Sequence, residues 1–329
     1  MPRQRVLSGM RPTGRLHLGH YYGVISNWLK LADGYECLFF AADWHALTTE
    51  YAAPSSIPEN TRQMVIDWIS SGVDPEASTI FRQSAIKEHA ELFVLLSMIV
   101  PLPWLERNPT YKEQLEELKD KDIRTFGFLG YPVLQTADII VYKAEKVPVG
   151  IDQAPHLELS REIARRFNHL YSEVFPEPQT MLTKVPKILG TDGRKMSKSY
   201  NNAVFLSDEP KVVEEKLLHM ITDTARKKRS DAGSPDLCPF FLTYHALLSD
   251  EEALSRVREG CTKALIGCIE CKKSVIPKVL TLLEPMQKKR KELEKNPGMV
   301  DAVLERGNIA ASRIASSTMR QARAAMGIE

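Results

Sequence analysis

The sequence predicts an α/β protein with a doubly wound parallel sheet, followed by a smaller all-helical domain. Short apolar runs alternate with amphipathic segments as far as about residue 205, an order typical of βαβ units. Beyond Lys198 the pattern changes to long, charged amphipathic stretches with few β-branched runs. A chain of 329 residues also exceeds the usual size of a single domain. We therefore expect one domain at residues 1–205 and a second at residues 206–329.

Each predicted element of the first domain follows from its own stretch of apolar spacing. In chain order these elements are a strand at Val6–Met10, a helix at Leu18–Leu31, a strand at Cys37–Ala42, a helix at Glu59–Ser71, a strand at Thr79–Phe81 and a helix at Ala85–Val100. Gly72 ends the second helix, and Pro101 and Pro103 stop the third. Strands that alternate with helices in this way are expected to pair in parallel.

The C-terminal part is predicted to be mostly helical. The Pro/Gly/Ser-rich segment Ser230–Pro239 interrupts it. The last stretch, Met299–Met326, keeps helical apolar spacing. We expect this final helix to pack back on the body of the protein.

Composition excludes some classes of protein and leaves others open. Apolar residues make up 43% of the chain and charged residues 26%, which are ordinary values for a soluble globular protein. No apolar run approaches the roughly 18 to 20 residues that a membrane span needs, and the first residues do not form a secretion signal. We therefore expect a cytoplasmic protein. A net charge of +2 neither supports nor excludes binding to a nucleic acid.

The segment His17-Leu18-Gly19-His20 is predicted to bind phosphate. It follows a strand directly, and free backbone N–H groups at such a strand-to-helix turn favour bound phosphate. The two histidines add side-chain donors, and Gly19 lacks a Cβ where an adenine ring would lie. The alternatives are a histidine pair that binds metal and plain surface polarity.

A second segment, Lys195-Met196-Ser197-Lys198-Ser199, follows the turn-rich stretch 190–194. We expect it to lie on a mobile loop whose two ammonium groups could meet the charge that grows on departing pyrophosphate. The alternative is a solvated basic loop. Both segments in this order, about one α/β domain apart, indicate adenylate chemistry.

Two further segments, Tyr131–Ile139 and Val147–Gln153, complete a resemblance that runs over nearly the whole chain. With Ser8–Gly14 and Asp43–Thr48, they make the chain resemble the bacterial tryptophanyl-tRNA synthetases, which are class I aminoacyl-tRNA synthetases. The resemblance implies a Rossmann-like catalytic domain and a helical domain that binds the tRNA anticodon. It implies activation of tryptophan by ATP with Mg²⁺, transfer to tRNA(Trp), and a homodimer.

The resemblance also implies roles for individual residues. Asp138 would accept the indole N–H, while Tyr131 and Gln153 would lie beside the polar end of the amino acid. The remaining tryptophan-binding candidates are Leu7, His45, Val147 and Val149. The ATP-binding candidates are Arg11, Thr13, Gly19, His20, Gly150, Asp152, Lys195, Met196, Ser197 and Lys198. The catalytic candidates are His17, His20, Lys195 and Lys198. Ordinary structural roles are the alternatives: a capping or paired aspartate, a core histidine and apolar strand core.

The chain departs from the family pattern at two positions near these candidates. Ile151 replaces a glutamate that is common there, and Gln135 replaces a frequent methionine. The amino-acid pocket is therefore expected to be tuned differently. Asp138, Asp152 and Gln153 are retained, so we expect activity to persist.

Four of the five cysteines have the spacing C-x22-C-x6-C-x2-C, at Cys238, Cys261, Cys268 and Cys271. If the segment is helical, the last three lie within a stripe of about 80° on one helix. Cys238 could then complete a four-sulfur site suited to a 4Fe-4S cluster or to zinc. Disulfides and unpaired buried thiols are the remaining alternatives. The spacing matches a motif of a subset of bacterial tryptophanyl-tRNA synthetases that carry a 4Fe-4S cluster, so we favour that group over zinc. Cys37, in an apolar strand, is expected in the core.

Basic residues near these cysteines are expected to face tRNA. The run Arg226–Arg229 lies just before the cysteines, and Lys263, Lys272 and Lys273 would offset the negative charge of a cluster while keeping this face attractive to RNA. A solvated charged face is the alternative. Three other functions compete with the main prediction: a tyrosyl-tRNA synthetase, a nucleotidylyltransferase that uses His-x-Gly-His, and a non-enzymatic iron-sulfur protein that binds RNA or senses redox state.

Overall fold

A five-stranded parallel sheet forms the centre of the computed structural model, which describes residues 3–117, 122–182 and 188–329. The strands are β1 (Arg5–Met10), β2 (Glu36–Ala41), β3 (Ser78–Arg82), β4 (Lys146–Val149) and β5 (Gln179–Leu182). Their order across the sheet is β3-β2-β1-β4-β5, and every neighbouring pair is parallel. The predicted doubly wound parallel sheet is confirmed, and the first three predicted strands lie within one or two residues of those observed.

Helices connect the strands in the N-terminal part. They are α1 (Leu18–His20), a π-helical turn (Tyr21–Ile25), α2 (Ser26–Leu31), α3 (Asp43–Glu50), α4 (Ile57–Ser70), α5 (Glu88–Ser97), α6 (Leu102–Glu106), α7 (Pro109–Glu117), α8 (Phe126–Ile140) and α9 (Ala154–Leu170). Short 3₁₀ turns occur at Pro54–Ser56, Gln83–Ala85 and Ile151–Gln153. Gly72 follows α4 with a φ of +106°, a backbone conformation that glycine adopts readily.

Beyond β5 the described chain is helical, as predicted. The elements are α10 (Pro210–His219), a 3₁₀ turn (Pro235–Leu237), a π-helical turn (Phe241–His245), α11 (Ala246–Leu248), α12 (Glu251–Thr262), α13 (Cys268–Lys295) and α14 (Pro297–Met326). The prediction that Cys261 and Cys268 share one helical stripe is wrong. Cys261 lies on α12 and Cys268 begins α13, and Ala264 between them has a φ of +56°, which ends α12.

The alternation of side chains along the strands creates two hydrophobic cores, one on each face of the sheet. Val6 and Phe39 point to a core that helices α2, α4, α10 and α13 complete. Leu7 and Leu38 point to the opposite core, which α5, α8, α9 and α14 complete. Cys37 is buried in the first core, as expected.

The C-terminal helix α14 packs closely against the edge strand β3. A Cβ on Gly307 would lie 1.8 Å from the carbonyl oxygen of Ile80, and Asn308 accepts a hydrogen bond from the backbone N–H of Arg82 at 3.0 Å. The division of the chain into domains at residue 205 stays a prediction. None of the described helices is long and apolar enough to span a membrane.

Candidate functional site

A cavity of about 570 Å³ opens at the carboxyl ends of β1 and β4. The strand order reverses between these two strands, and ligands of open α/β sheets bind at such a switch point. The predicted candidates that line the cavity are Leu7, Arg11, His20, His45, Tyr131, Asp138, Val147, Val149, Gly150, Gln153 and Lys195. Residues that were predicted to bind the amino acid and residues that were predicted to bind ATP therefore line the same cavity.

Asp138, on α8, is the buried carboxylate of the cavity wall, with 1% of its surface exposed. His45 Nε2 lies 2.8 Å from its Oδ2 and His89 Nδ1 lies 2.5 Å from its Oδ1. The amide nitrogen of Gln83 donates to both oxygens, at 2.9 and 3.0 Å. Burial opposes ionisation of this carboxyl, but the interactions with His89 and His45 outweigh it and lower the pKa of Asp138 to about 2. The group is a pure hydrogen-bond acceptor at neutral pH.

On the side away from the cavity, this carboxylate is held by side chains that the sequence analysis did not identify. They are Gln83 and His89, which contact Asp138, and Tyr142, which contacts His89. Gln83 follows β3 directly, so its place at the carboxyl end of a strand was a usable signal. His89 is a single histidine near the start of α5, and its spacing carries no such signal.

Tyr131 and the aliphatic side chains form the remainder of the inner wall. The Tyr131 hydroxyl lies 2.7 Å from His156 Nε2, and its ring stands at 81° to that of His45, with centroids 6.4 Å apart. Val147 and Leu7 are buried at 5% and 1% exposure, so the wall beside Asp138 is apolar.

The two histidines of the first motif lie against each other at the start of α1. Their ring centroids are 3.8 Å apart, and the His17 backbone N–H donates to His20 Nδ1 at 3.2 Å. Burial, with Lys198 nearby, lowers the pKa of His17 to about 4. Burial, His17 and Lys198 hold the pKa of His20 well below its ordinary value. Both imidazoles are therefore neutral at pH 7, and His20 is the one that lines the cavity.

The second motif, residues 195–199, contacts the turn that precedes the first motif. Lys198 Nζ donates to the Thr13 carbonyl at 2.7 Å, and Met196 is buried in the core at 4% exposure. The Ser197 backbone N–H donates to the side chain of Asn202 at 2.8 Å. Lys195 lines the cavity. Lys198 does not line it, and its ammonium binds the nearby turn that contains Thr13.

Several predicted candidates do not line the cavity: Thr13, His17, Gly19, Met196, Ser197 and Lys198. A Cβ on Gly19 would lie 2.9 Å from the His17 ring. The side chain of Asp152 is outside the described residues. Of the two departures from the family pattern, Gln135 lines the cavity, whereas Ile151 is 77% exposed.

A second, small cavity lies among the four clustered cysteines, Cys238, Cys261, Cys268 and Cys271. Arg226 Nη1 approaches the sulfurs of Cys261 and Cys268 at 3.8 and 4.0 Å, and His245 Nε2 lies 3.2 Å from the sulfur of Cys271. The five cysteines are all described and none forms a disulfide. In the part of the chain that the structure describes, no three Cys, His, Asp or Glu side chains are arranged to hold a metal ion.

A basic groove of about 530 Å³ adjoins this cysteine cavity, between the run Arg226–Arg229 and the start of α13. Arg226 donates to the carbonyls of Arg229 and Ile266 at 2.7 and 2.8 Å, so it holds the groove together. Lys273 also lines the groove. Lys263 pairs with Glu259 at 2.7 Å on the surface at the end of α12. Lys272 is buried and donates to the Leu218 carbonyl at 2.7 Å, so it is not part of a surface that could face tRNA.

Comparisons with known proteins extend over the whole chain. The family described as tRNA synthetases class I (W and Y) matches residues 2–284. The tryptophan–tRNA ligase of Thermotoga maritima is 52% identical, over 98% of this chain and 99% of that protein. That of Aquifex aeolicus is 44% identical, over 98% and 100%. The crystal structure of tryptophanyl-tRNA synthetase from Campylobacter jejuni complexed with ADP and tryptophan is 30% identical, with a TM-score of 0.88, and the match covers 98% of this chain and 100% of that one.

Proposed function

Because the chain belongs to the class I tRNA synthetases for tryptophan and tyrosine, we propose that it activates tryptophan with ATP and transfers it to tRNA(Trp) in the cytoplasm. The tryptophan carboxylate attacks the α-phosphorus of ATP, which gives tryptophanyl-adenylate and pyrophosphate. A terminal ribose hydroxyl of the tRNA then takes the acyl group, and AMP leaves. The observation that carries the proposal is that Asp138 and His20 face one cavity.

The apolar inner half of the cavity is the tryptophan subsite. The indole lies against Leu7, Val147 and Val149, and its N–H donates to the ionised Asp138, since indole can donate but not accept. Tyr131 and Gln153 lie where the amino and carboxylate groups would be. These contacts orient the carboxylate for attack, so positioning supplies much of the rate.

The outer half of the cavity is the ATP subsite. Neutral His20 and the backbone around Gly150 lie near the bound nucleotide, while Arg11 and Lys195 stand at the cavity wall. Lys195 and Lys198 meet the charge that develops on departing pyrophosphate. This chemistry needs no nucleophile from the protein.

Mg²⁺, which the family uses with ATP, would be held by the substrate. Among the described residues lining the cavity, Asp138 is the only carboxylate, and both of its oxygens already accept hydrogen bonds. The phosphate oxygens are therefore the ligands, and the ion would offset their charge.

The experiment that tests this function is ATP/pyrophosphate exchange with each standard amino acid in turn. Exchange with tryptophan alone is expected. Exchange with tyrosine would keep the class I chemistry and overturn the assigned subsite, and no exchange would favour a non-catalytic RNA-binding or redox role. Asp138→Ala should sharply reduce the tryptophan-dependent rate, and an unchanged rate would refute the role of Asp138.

We also propose that the four clustered cysteines hold a 4Fe-4S cluster. Their convergence on one cavity supports a four-thiolate site. Four thiolates also suit zinc, which is the alternative outcome of the metal analysis. A cluster distributes its four thiolates over separate irons, so it suits ligands that surround a cavity. The Arg226 guanidinium beside Cys261 and Cys268 would offset part of the cluster's negative charge.

Iron and sulfide analysis of anaerobically purified protein tests the cluster. We expect about four of each per chain, since all four thiolates serve one cluster. Cys271→Ser should lose that content, while Cys37→Ala, which changes a core cysteine outside the site, should retain it. Zinc in place of iron in the wild-type protein would overturn the proposal.

The basic groove beside the cysteines is proposed as the anticodon-facing surface. Lys227 and Lys228 are exposed on it, whereas Arg226 is occupied by carbonyl oxygens. Replacing both lysines by alanine should weaken tRNA(Trp) binding and reduce its salt dependence by about one to two charges. Lys288→Ala, on the exposed side of α13, is the control. Unchanged affinity and salt slope would exclude this surface.

The expected homodimer would use an exposed apolar surface on α5, α6 and α8. Met98 after α5 and Phe126 on α8 are 73% and 74% exposed, and Val94 on α5 and Leu102 on α6 are 48% and 53% exposed. The Phe126 ring packs on Phe93 of α5, which joins α8 to this stretch. A second copy would remove this surface from water. Met98→Asp should give a monomer in sedimentation velocity, while Val212→Asp on α10 should not.

A further inference from the structure

A chain of three buried side chains lies behind the wall of the tryptophan subsite. It runs from the Tyr142 hydroxyl to His89 Nε2, at 2.7 Å, and from His89 Nδ1 to Asp138 Oδ1, at 2.5 Å. Tyr142 and His89 are fully buried, with 0% of their surfaces exposed. Neither lines the cavity, whereas Asp138 does.

His89 contacts Tyr142 through one ring nitrogen and Asp138 through the other. An ionised carboxylate only accepts hydrogen bonds, so Nδ1 carries the N–H that donates to Asp138. Burial holds the pKa of Tyr142 well above its ordinary value, so the phenol keeps its proton. The contact with the Tyr142 hydroxyl fixes the ring of His89 from the side away from Asp138.

The two oxygens of Asp138 have different surroundings. Both oxygens accept from the Gln83 amide, which does not line the cavity. Oδ1 also accepts from His89, which lies behind the wall, whereas Oδ2 also accepts from His45, which is part of the wall. His45 and a bound substrate would compete for Oδ2, because both approach it from the cavity side. His89 faces no such competition, so it keeps the plane of the carboxylate fixed when the substrate binds.

We propose that His89, oriented by Tyr142, is a positioning residue that holds Asp138 ionised with Oδ2 aimed at the indole N–H of the substrate. The inference rests on the proposed function and deepens it. Without the His89 N–H, Oδ1 of Asp138 would keep only the Gln83 amide, which it shares with Oδ2. Rotation or protonation of the carboxyl would relieve the loss of the second donor. Either change would remove the acceptor that the indole needs, while the apolar walls would stay in place.

The test compares two substrates that differ at one group. Tryptophan and 3-(benzothiophen-3-yl)alanine have nearly the same shape, but sulfur replaces the N–H in the second. ATP/pyrophosphate exchange gives kcat/KM for each, and their ratio isolates recognition of the N–H. His89→Leu removes the donor, and His89→Asn places an amide N–H near the position of Nδ1. Tyr142→Phe removes only the phenol. His169→Leu, an exposed histidine on α9, is the control.

We expect His89→Leu to lower the ratio by about 10-fold through loss of activity with tryptophan, since the buried carboxylate then lacks one of its donors and no longer presents a fixed acceptor to the indole N–H. His89→Asn should recover most of the ratio, Tyr142→Phe should lower it by about 3-fold, and His169→Leu should leave it unchanged.

Two results would overturn the positioning role. One is an equal fall in activity with both substrates, which is the behaviour of a residue that only supports the fold. The other is an unchanged ratio in His89→Leu. A thermal melt identifies any variant that does not fold. If His89→Leu is such a variant, the test rests on His89→Asn and Tyr142→Phe. Wild-type protein that shows no exchange with tryptophan would overturn the proposed function itself, and this inference with it.

Discussion

Lys198 Nζ donates to the backbone carbonyl of Thr13 at 2.7 Å and to the Thr13 hydroxyl at 3.1 Å. The two residues are far apart in the sequence, and this contact joins the lysine loop to the turn that leads into α1. Burial and the nearby Arg11 lower the pKa of Lys198. Under the role proposed for Lys198, its ammonium would leave the Thr13 oxygens for the departing pyrophosphate, whose added charge it would meet most strongly in the transition state.

Replacing Lys198 by alanine should lower kcat for pyrophosphate exchange by about 100-fold, because the lost interaction acts mainly in the transition state. The dissociation constant for tryptophan, measured by fluorescence titration, should not change. Lys211→Ala, an exposed lysine on α10, is the matched control. Equal losses in tryptophan affinity and in kcat would mean that Lys198 supports the pocket rather than the reaction.

The low pKa of His17 should make the fold sensitive to acid. Burial and Lys198 lower its pKa from 6.5 to about 4, so between these values the unfolded chain binds more protons than the folded one. Stability therefore rises with pH through this window. Wild-type protein should lose about 2 to 3 kcal/mol from this residue between pH 7 and pH 4.5. Urea titrations of wild type and His17→Asn at both pH values measure it, and equal pH dependence in the two proteins would contradict it.

The strands β1 and β2 were predictable because they are largely buried and appear as short apolar runs. They span Arg5–Met10 and Glu36–Ala41, within one residue of the predicted runs Val6–Met10 and Cys37–Ala42. The break between α12 and α13 was not predictable. It depends on Ala264 in a left-handed conformation, which alanine rarely adopts, and on the hydrogen bonds that the Leu265 and Ile266 backbone N–H groups donate to the Gly260 carbonyl.

The candidate site was predictable where residues stand at the ends of strands or within short motifs. His20 reaches the cavity as part of such a motif. Asp138 lies on α8, and only the resemblance of Tyr131–Ile139 to the family singled it out. The support behind Asp138 was not predictable, since His89 and Tyr142 come from separate elements and meet only through the packing of α5 on α8. Single polar residues on helices carry no spacing signal.

A buried ion pair ties α13 to α4. Arg290 donates to Asp67, which is 1% exposed and also accepts the Leu16 backbone N–H at 3.2 Å. Arg290→Met should destabilise the protein by about 3 to 5 kcal/mol, because it leaves a buried carboxylate without its cation. Adding Asp67→Asn should recover part of that loss. Chemical denaturation of the two single variants and the double variant gives the coupling energy, and simple additivity would contradict it.

The closest approach of α14 to the sheet sets a sharp limit on side-chain size at Gly307. A Cβ there would lie 1.8 Å from the Ile80 carbonyl oxygen, and backbone on both sides prevents an easy adjustment. Gly307→Ala should therefore push α14 off β3 and destabilise the protein by about 3 kcal/mol or more, as overpacking does. Gly298→Ala, on the same helix with no atom within 4 Å, should be neutral or slightly stabilising, since alanine favours helix. Thermal melts of the two variants separate these effects, and a Gly307→Ala protein as stable as Gly298→Ala would show that α14 can shift away from β3 freely.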